Sequence, residues 1–110
     1  MKLNLDAVIT DLKGKAIPYK DGKDAPEEDL TLKQVALTAL LNDSPDERLT
    51  GDQRFKLGRL AEKVYAGGEI EMKVDQIAKV RERIGLIWNT IVVARAWGLI
   101  DGPEKADAEN

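Results

Sequence analysis

The apolar residues of this chain recur at two different spacings, which divide it into a strand-rich start and a helical remainder. Over residues 3–10 polar and apolar side chains alternate, as is typical of a half-buried β-strand. A turn is predicted at residues 11–14, because Asp11 suits the first position of a type I turn and Gly14 accepts a positive φ. Residues 15–19 then return as an edge strand, since Pro18 has no backbone N–H. The pattern predicts an N-terminal β-hairpin.

A polar segment and a capping signal mark where the helices begin. Residues 20–29 are mostly charged, contain Pro26 and show no periodicity, so we expect a loop. Thr31 and Gln34 have the spacing of a capping box, in which each side chain bonds the other residue's backbone N–H. The helix that follows is apolar around much of its circumference, which predicts a central position, and residues 42–45 end it.

Two further helices are predicted on either side of a short extended link. Thr50 and Gln53 repeat the capping box, and Gly67 and Gly68 end the second helix. Residues 69–72 alternate polar and apolar side chains, which suits a short strand or an extended connector. Helical spacing directs Leu57, Leu60, Ala61, Val64, Ile77, Val80 and Ile84 to the core, and leaves Lys79, Arg81, Glu82 and Arg83 largely outside.

The end of the chain is predicted to hold a strongly apolar last helix. Gly85 weakens the third helix, and Asn89 offers an N-cap for a last helix that ends at Gly98, so either two helices or one bent helix fits. Residues 103–110 lack an apolar anchor and are expected to be a flexible tail. Residues 1–102 should therefore form one mainly α domain of the α+β class. Its hairpin precedes three or four short helices, and its helix–link–helix unit resembles an EF-hand without the ion ligands.

The residue types that are missing restrict the chemistry of this chain. It contains neither histidine nor cysteine, which excludes serine–histidine and cysteine–histidine catalysis, thiolate metal sites and disulfides. A carboxylate-only or lysine-based enzyme stays possible on composition. However, the glutamates at residues 27–28 and at Glu69 and Glu71 give no reason for their pKa values to diverge. We predict no enzyme activity, no catalytic residue, no metal and no cofactor.

Charge and hydropathy bound the class of partner. The chain is 43% hydrophobic and 34% charged, which suits a globular domain that folds alone. Its net charge of -3 and its pI near 5.0 argue against general nucleic-acid affinity, which needs clustered positive charge. No apolar run approaches the ~20 residues needed to cross a bilayer. We therefore predict a cytoplasmic protein without a membrane partner or a small-molecule substrate.

The best candidate interaction surface combines the third helix with the last. Its members are Lys73, Lys79, Arg81, Arg83, Arg95 and Trp97. These cations would suit a small DNA-binding regulator, but Asp75 and Glu82 dilute the charge, and a solvated helix face explains the same pattern. For Trp88 and Trp97, packing in the core is favoured over exposed recognition.

Several short segments, spread over most of the chain, share their spacing with a group of known proteins. They are Asp-Leu-Lys-Gly-Lys at 11–15, Leu-Thr-Leu at 30–32, Ala-Leu-Leu at 39–41, residues 56–65, Gly-Glu-Ile at 68–70, residues 77–85 and Val-Val-Ala-Arg-Ala-Trp at 92–97. The chain thus resembles small proteins encoded by tailed bacteriophages and prophages.

That resemblance and the missing catalytic chemistry together predict a non-enzymatic protein that acts through protein–protein contacts. It would serve in particle assembly or as an accessory factor acting on a host protein. The alternative is the DNA-binding regulator that uses the basic face of the third helix. Surplus apolar residues at 91–97 also predict self-association through the last helix.

Overall fold

Four helices and four short strands make up the described part of the chain, which in this computed structural model is residues 1–20 and 22–102. The helices are α1 (Leu32–Leu41), α2 (Gly51–Tyr65), α3 (Val74–Ile87) and α4 (Thr90–Asp101). The strands are β1 (Lys2–Asn4), β2 (Pro18–Tyr19), β3 (Glu28–Asp29) and β4 (Glu69–Glu71). The predicted mainly helical α+β class is confirmed. The predicted tail, residues 103–110, lies outside the described residues.

The predicted N-terminal hairpin is present, but its strands are shorter than expected. Thr10 pairs with Ala16 across a turn in which the Asp11 carboxylate accepts two backbone N–H groups, at 2.8 and 3.0 Å. Beyond this turn β2 pairs antiparallel with β3. The last two residues of the loop predicted over residues 20–29 therefore belong to a strand.

The strand predicted over residues 3–10 is interrupted because the chain turns after Asn4. The Asn4 side chain accepts the Asp6 N–H at 3.1 Å, and such a turn redirects the backbone. β1 pairs antiparallel with β4, and Leu3 lies opposite Ile70. The link between α2 and α3 is therefore a strand, and it ties this helix–link–helix unit to the start of the chain.

α1 is the centre of the fold, as its apolar circumference predicts. It packs against α2, α3 and α4, whereas α2 and α3 make few contacts with each other. The buried side chains of α1 are Leu32, Val35, Ala36, Ala39 and Leu40. The apolar faces predicted for α2 and α3 are buried as well. Two helices that share one support without packing closely on each other leave a groove between them.

Side-chain caps fix where the helices begin. Thr31 with Gln34 and Thr50 with Gln53 form the two predicted capping boxes, in which glutamine Oε1 accepts the N-cap N–H at 2.7 and 2.9 Å. Asn89 caps α4 by accepting a first-turn N–H at 3.1 Å. α3 and α4 are thus two separate helices rather than one bent helix.

The last helix is longer than predicted. It passes Gly98, the expected end, and reaches Asp101. The stop comes from Gly102, whose φ of 85° suits glycine and ends the helical path. Within residues 1–20 and 22–102, no helix has the combination of length and apolar character needed to cross a bilayer.

Candidate functional site

Arg83, which the helical pattern places on an exposed basic face, is instead buried against the end of α1. Its side chain is 2% exposed. Nε and Nη2 donate to the carbonyl oxygens of Ala39 and Asn42 at 3.2 and 2.6 Å, and Nη1 donates to the Glu47 carboxylate. The last carbonyls of a helix lack intrahelical donors, and Arg83 supplies donors at this end. The prediction for Arg83 is therefore wrong, because a contact with a neighbouring helix outweighs its position on the helical wheel.

Arg81 and Trp97 contact each other between α3 and α4. The Arg81 Cζ atom lies 3.7 Å from the centroid of the Trp97 ring, and Trp97 Nε1 donates to the Arg81 carbonyl at 2.9 Å. The same guanidinium forms a two-point ion pair with Asp101, with both closest N–O distances at 3.1 Å. Trp88 also packs against the core and donates to the Val35 carbonyl at 2.8 Å. Both tryptophans are therefore partly buried, and both fix helices to each other.

The other predicted residues do not complete a common surface. Lys79 is exposed and pairs with Glu82 of its own helix at 3.4 Å. Arg95 donates to the Asp11 carbonyl in the hairpin turn at 3.1 Å, and the exposed Lys73 is the N-cap of α3.

The basic face that a DNA-binding regulator would use is reduced. Arg83 is buried, and the charge of Arg81 is neutralised by Asp101. The structure brings Arg81 together with Trp97, and it places Lys79 and Arg83 along one groove. Lys73 and Arg95 belong to neither group.

The apolar surplus of α4 is largely used inside the molecule. Leu99, at 42%, is the exposed large apolar side chain of this helix among the described residues. Val92, Ala96 and Ile100 are buried, and Ile91, Val93 and Trp97 are packed against the core. Most apolar side chains of α4 are therefore covered within the molecule, and self-association through this helix stays a prediction.

A groove of about 1050 Å³ separates α2 from α3. Its walls are side chains of these two helices, and the loop between α1 and α2 contributes Glu47 and Leu49. Phe55, on the α2 wall, is 68% exposed. We name this feature the α2–α3 groove. It places a large exposed aromatic side chain beside a concave space that is also lined by several charged side chains.

The loop beside the α2–α3 groove is held by two ion pairs. Asp43 pairs with Arg54 at 2.7 and 3.1 Å, and the hydrogen bond from Arg54 holds the pKa of Asp43 below its ordinary value. Glu47 pairs with Arg83 and accepts the Ser44 N–H at 3.0 Å. Both contacts lower the pKa of Glu47, and that from Arg83 lowers it more. Both carboxyls are therefore ionised at neutral pH and hold the loop through charge-assisted hydrogen bonds.

The charges along the α2–α3 groove are almost balanced. Lys56, Arg59, Lys63, Lys79 and Arg83 face Glu47, Glu62, Asp75 and Glu82. Among the described residues the structure holds no cluster of three or more histidine, cysteine or acidic side chains that would bind a metal. The groove therefore offers apolar contact and ionic partners to a ligand.

A second hollow, of about 600 Å³, lies between α1 and α2. Leu41 and Tyr65 line it and are 64% and 69% exposed. Lys33 Nζ stands 4.5 Å from the centroid of the Tyr65 ring. Glu62 is the charged residue of its lining, so this hollow lacks the ionic partners of the α2–α3 groove.

The residues of the α2 wall of the groove were not among the site residues predicted from the sequence. The α2 wall is formed by residues off the buried face of this helix, among them Phe55, Lys56 and Lys63. A helical wheel of α2 would have shown Phe55 as a phenylalanine on an otherwise polar, exposed face. Glu47 gave no signal, because its partner Arg83 lies 36 residues further along the chain. Such a contact depends on the tertiary fold.

Comparison of the chain with protein-family models, with curated proteins and with solved structures finds no match. No activity, ligand or partner is therefore transferred from a relative. The resemblance to phage proteins stays a prediction, and function has to be inferred from the geometry of the described residues.

Proposed function

We propose that this chain is a non-enzymatic protein-interaction module whose contact surface is the α2–α3 groove. The observation that carries the proposal is Phe55, an aromatic side chain 68% exposed on the wall of a groove of about 1050 Å³. Aromatic side chains are enriched in protein interfaces, because they bury a large apolar area at a low cost in conformational entropy. As the sequence suggests, the module would be a phage or prophage protein that acts in the bacterial cytoplasm, in particle assembly or on a host protein.

The ionisable groups of the groove support binding more than catalysis. Arg59, Lys79 and Arg83 each pair with a carboxylate. The lowered pKa of Glu47 makes this carboxylate a weaker base than general acid–base catalysis near neutral pH requires. Of these pairs, the buried one between Arg83 and Glu47 anchors the loop that forms one wall of the groove. A partner would thus meet a preformed surface, which reduces the entropy lost on binding.

Site-specific photo-crosslinking in infected or induced bacterial cells tests the proposal. A benzophenone amino acid replaces Phe55 in one variant and Leu12 in a matched control. Leu12 is 85% exposed and lies in the hairpin turn, outside the lining of the groove. We expect a discrete light-dependent adduct from position 55, identified by mass spectrometry, and none from position 12.

A second variant separates binding from mere proximity. Phe55→Ala should weaken the affinity of the identified partner by at least about tenfold, as expected when an interface anchor is truncated. Adducts from position 12 alone, or equal adducts from both positions, would show that the α2–α3 groove is not the contact surface. Purified protein that turned over an ester, nucleotide or glycoside, and lost that turnover when one carboxylate was changed, would contradict a non-enzymatic role.

A further inference from the structure

We infer that the α2–α3 groove accepts an amphipathic α-helix of a partner protein, with carboxylates on the flank that faces α2. This inference rests on the proposed function and specifies the chemistry of the partner. It follows from the charges that the groove leaves unpaired and from their spacing along α2.

The charged side chains of the groove divide into paired and unpaired groups. Arg59 pairs with Glu62 at 3.9 Å, Lys79 pairs with Glu82 at 3.4 Å, and Arg83 pairs with Glu47. Three charges along the groove remain without an ion pair among the described residues: Lys56, Lys63 and Asp75. Both unpaired cations belong to α2, and the unpaired carboxylate belongs to α3.

The spacing of these charges selects a helical ligand. Lys56 and Lys63 are seven residues apart, so they lie two turns apart on nearly the same side of α2, about 10.5 Å along its axis. A helix lying along α2 presents two carboxylates at the same separation when they occupy its positions i and i+7. Apolar residues at positions such as i+1, i+4 and i+8 then form a stripe beside those carboxylates, facing the groove that Phe55 lines.

Asp75 gives the ligand a direction across the groove. A partner helix that places carboxylates against α2 turns its other flank towards α3, where Asp75 favours a lysine or arginine. The fitting helix therefore has an apolar stripe between an acidic flank and a flank with at least one cation. Duplex nucleic acid fits less well, because Glu62, Asp75 and Glu82 would lie close to its phosphates.

A designed peptide pair tests this inference on the full chain. One synthetic helical peptide carries glutamates at i and i+7, leucines at i+1, i+4 and i+8 and lysines at i+5 and i+9, so that the apolar stripe lies between the acidic and the basic flank. Its charge-inverted counterpart carries lysines in place of those glutamates and glutamates in place of the lysines. Each is titrated into nitrogen-15-labelled protein while backbone amide shifts are followed. We expect the first peptide to shift amides of α2 and α3 along the groove and to bind at least about tenfold more tightly than the second.

Charge exchange on the protein provides the matched controls. Lys56→Glu with Lys63→Glu should weaken binding of the acidic peptide by at least about tenfold and improve binding of its counterpart. Lys13→Glu with Lys15→Glu makes the same change in net charge on exposed residues of the hairpin turn and should leave both affinities unchanged. Because Lys63 also donates to Gln76 at 3.2 Å, Lys56→Glu alone serves as the variant least exposed to folding effects.

The inference about the partner and the proposed function fail in different ways. Equal binding of both peptides, or absence of binding while crosslinks from position 55 persist, overturns the acidic helix and leaves the groove as the contact surface. Loss of both peptide binding and crosslinks overturns the two together. A dimer in sedimentation that Lys56→Glu dissociates would make a second copy of the chain the occupant. Duplex DNA that shifts the same amides would replace the helix with nucleic acid.

Discussion

Gly85 of α3 lies so close to Trp97 of α4 that an added Cβ would stand 2.8 Å from the Cζ2 atom of the indole ring. The ring is held in place, because its Nε1 donates to the Arg81 carbonyl and the Arg81 guanidinium stacks on it. Glycine lowers the helix propensity of α3, yet α3 continues to Ile87. The close approach of the two helices is therefore the reason that position 85 favours glycine.

Gly85→Ala should destabilise the protein by about 1 kcal/mol, because the loss from overpacking exceeds the gain in helix propensity. Gly58→Ala is the matched control: position 58 lies inside α2, and its added Cβ meets no atom within 4 Å. That variant should be stabilised by about 0.5–1 kcal/mol. Urea unfolding of both variants gives the comparison, and an equal gain in both would mean that Trp97 does not pack against Gly85.

Two neighbouring leucines of α1 allow the effect of burial on stability to be measured with the residue type held constant. Leu40 is 3% exposed, and Leu41, the next residue, is 64% exposed. We expect Leu40→Ala to cost about 2–5 kcal/mol and Leu41→Ala less than about 0.5 kcal/mol. Ile84→Ala, at a fully buried position of α3, should resemble Leu40→Ala. Thermal or urea unfolding gives the free energy of unfolding of all three variants. Similar losses for Leu40→Ala and Leu41→Ala would show that α1 does not lie at the centre of the core.

Arg83 makes two contacts with the end of α1 and a third with Glu47 in the loop that follows, so its removal should be costly. Arg83→Met keeps much of the side-chain volume but leaves Glu47 and two carbonyls without their donor, and it should cost about 3 kcal/mol. Glu47→Gln retains a side-chain acceptor for Arg83 and should cost less. The free energy of unfolding from urea titrations gives both values.

Lys79→Met is the control for Arg83→Met, because it removes a cation from the same helix one turn earlier. Lys79 is 49% exposed and makes a surface pair with Glu82, so the change should alter stability by less than about 0.5 kcal/mol. Equal losses of stability in the two variants would show that the buried contacts of Arg83 contribute no more to the free energy of unfolding than the surface pair of Lys79. If Arg83→Met left the free energy of unfolding unchanged, the contact with Arg83 would not be what holds the loop between α1 and α2.

Local signals in the sequence predicted where α1 and α2 begin and offered a start for α4, although one bent helix in place of α3 and α4 also fitted. The capping boxes at Thr31 and Thr50 and the cap at Asn89 depend on residues within one turn, and the structure confirms all three. The buried faces of α2 and α3 were predictable for the same reason, since helical periodicity is local. The fold class followed from these elements.

Contacts between distant residues could not be predicted in this way. Leu3 pairs with Ile70, which lies far along the chain, and the contact of Arg83 with the end of α1 reverses an exposed assignment. The α2–α3 groove exists because both helices pack on α1 and little on each other, which is a property of the tertiary arrangement. The helical spacing of α2 leaves Phe55 off the buried face, but only the tertiary fold places it beside a concave surface.

Acid should weaken the fold through the ion pairs that hold the loop between α1 and α2. Asp43 and Glu47 have lowered pKa values, mainly because an arginine donates a hydrogen bond to each. A carboxyl whose pKa is lower in the folded than in the unfolded state stabilises the folded protein at pH values above its unfolded pKa. The ordinary pKa values, 3.8 for Asp43 and 4.5 for Glu47, stand for the unfolded state. This stabilisation is lost as the pH falls through the folded pKa. The contribution of these two groups to the free energy of unfolding should therefore be constant above about pH 5.5 and decline below about pH 4.5.

Glu47→Gln should make that decline shallower in urea titrations between pH 7 and pH 3, whereas Glu27→Gln, an exposed change in the polar loop, should leave it as in the parent chain. An identical acid decline in parent and Glu47→Gln would mean that the pair with Arg83 does not stabilise the folded state.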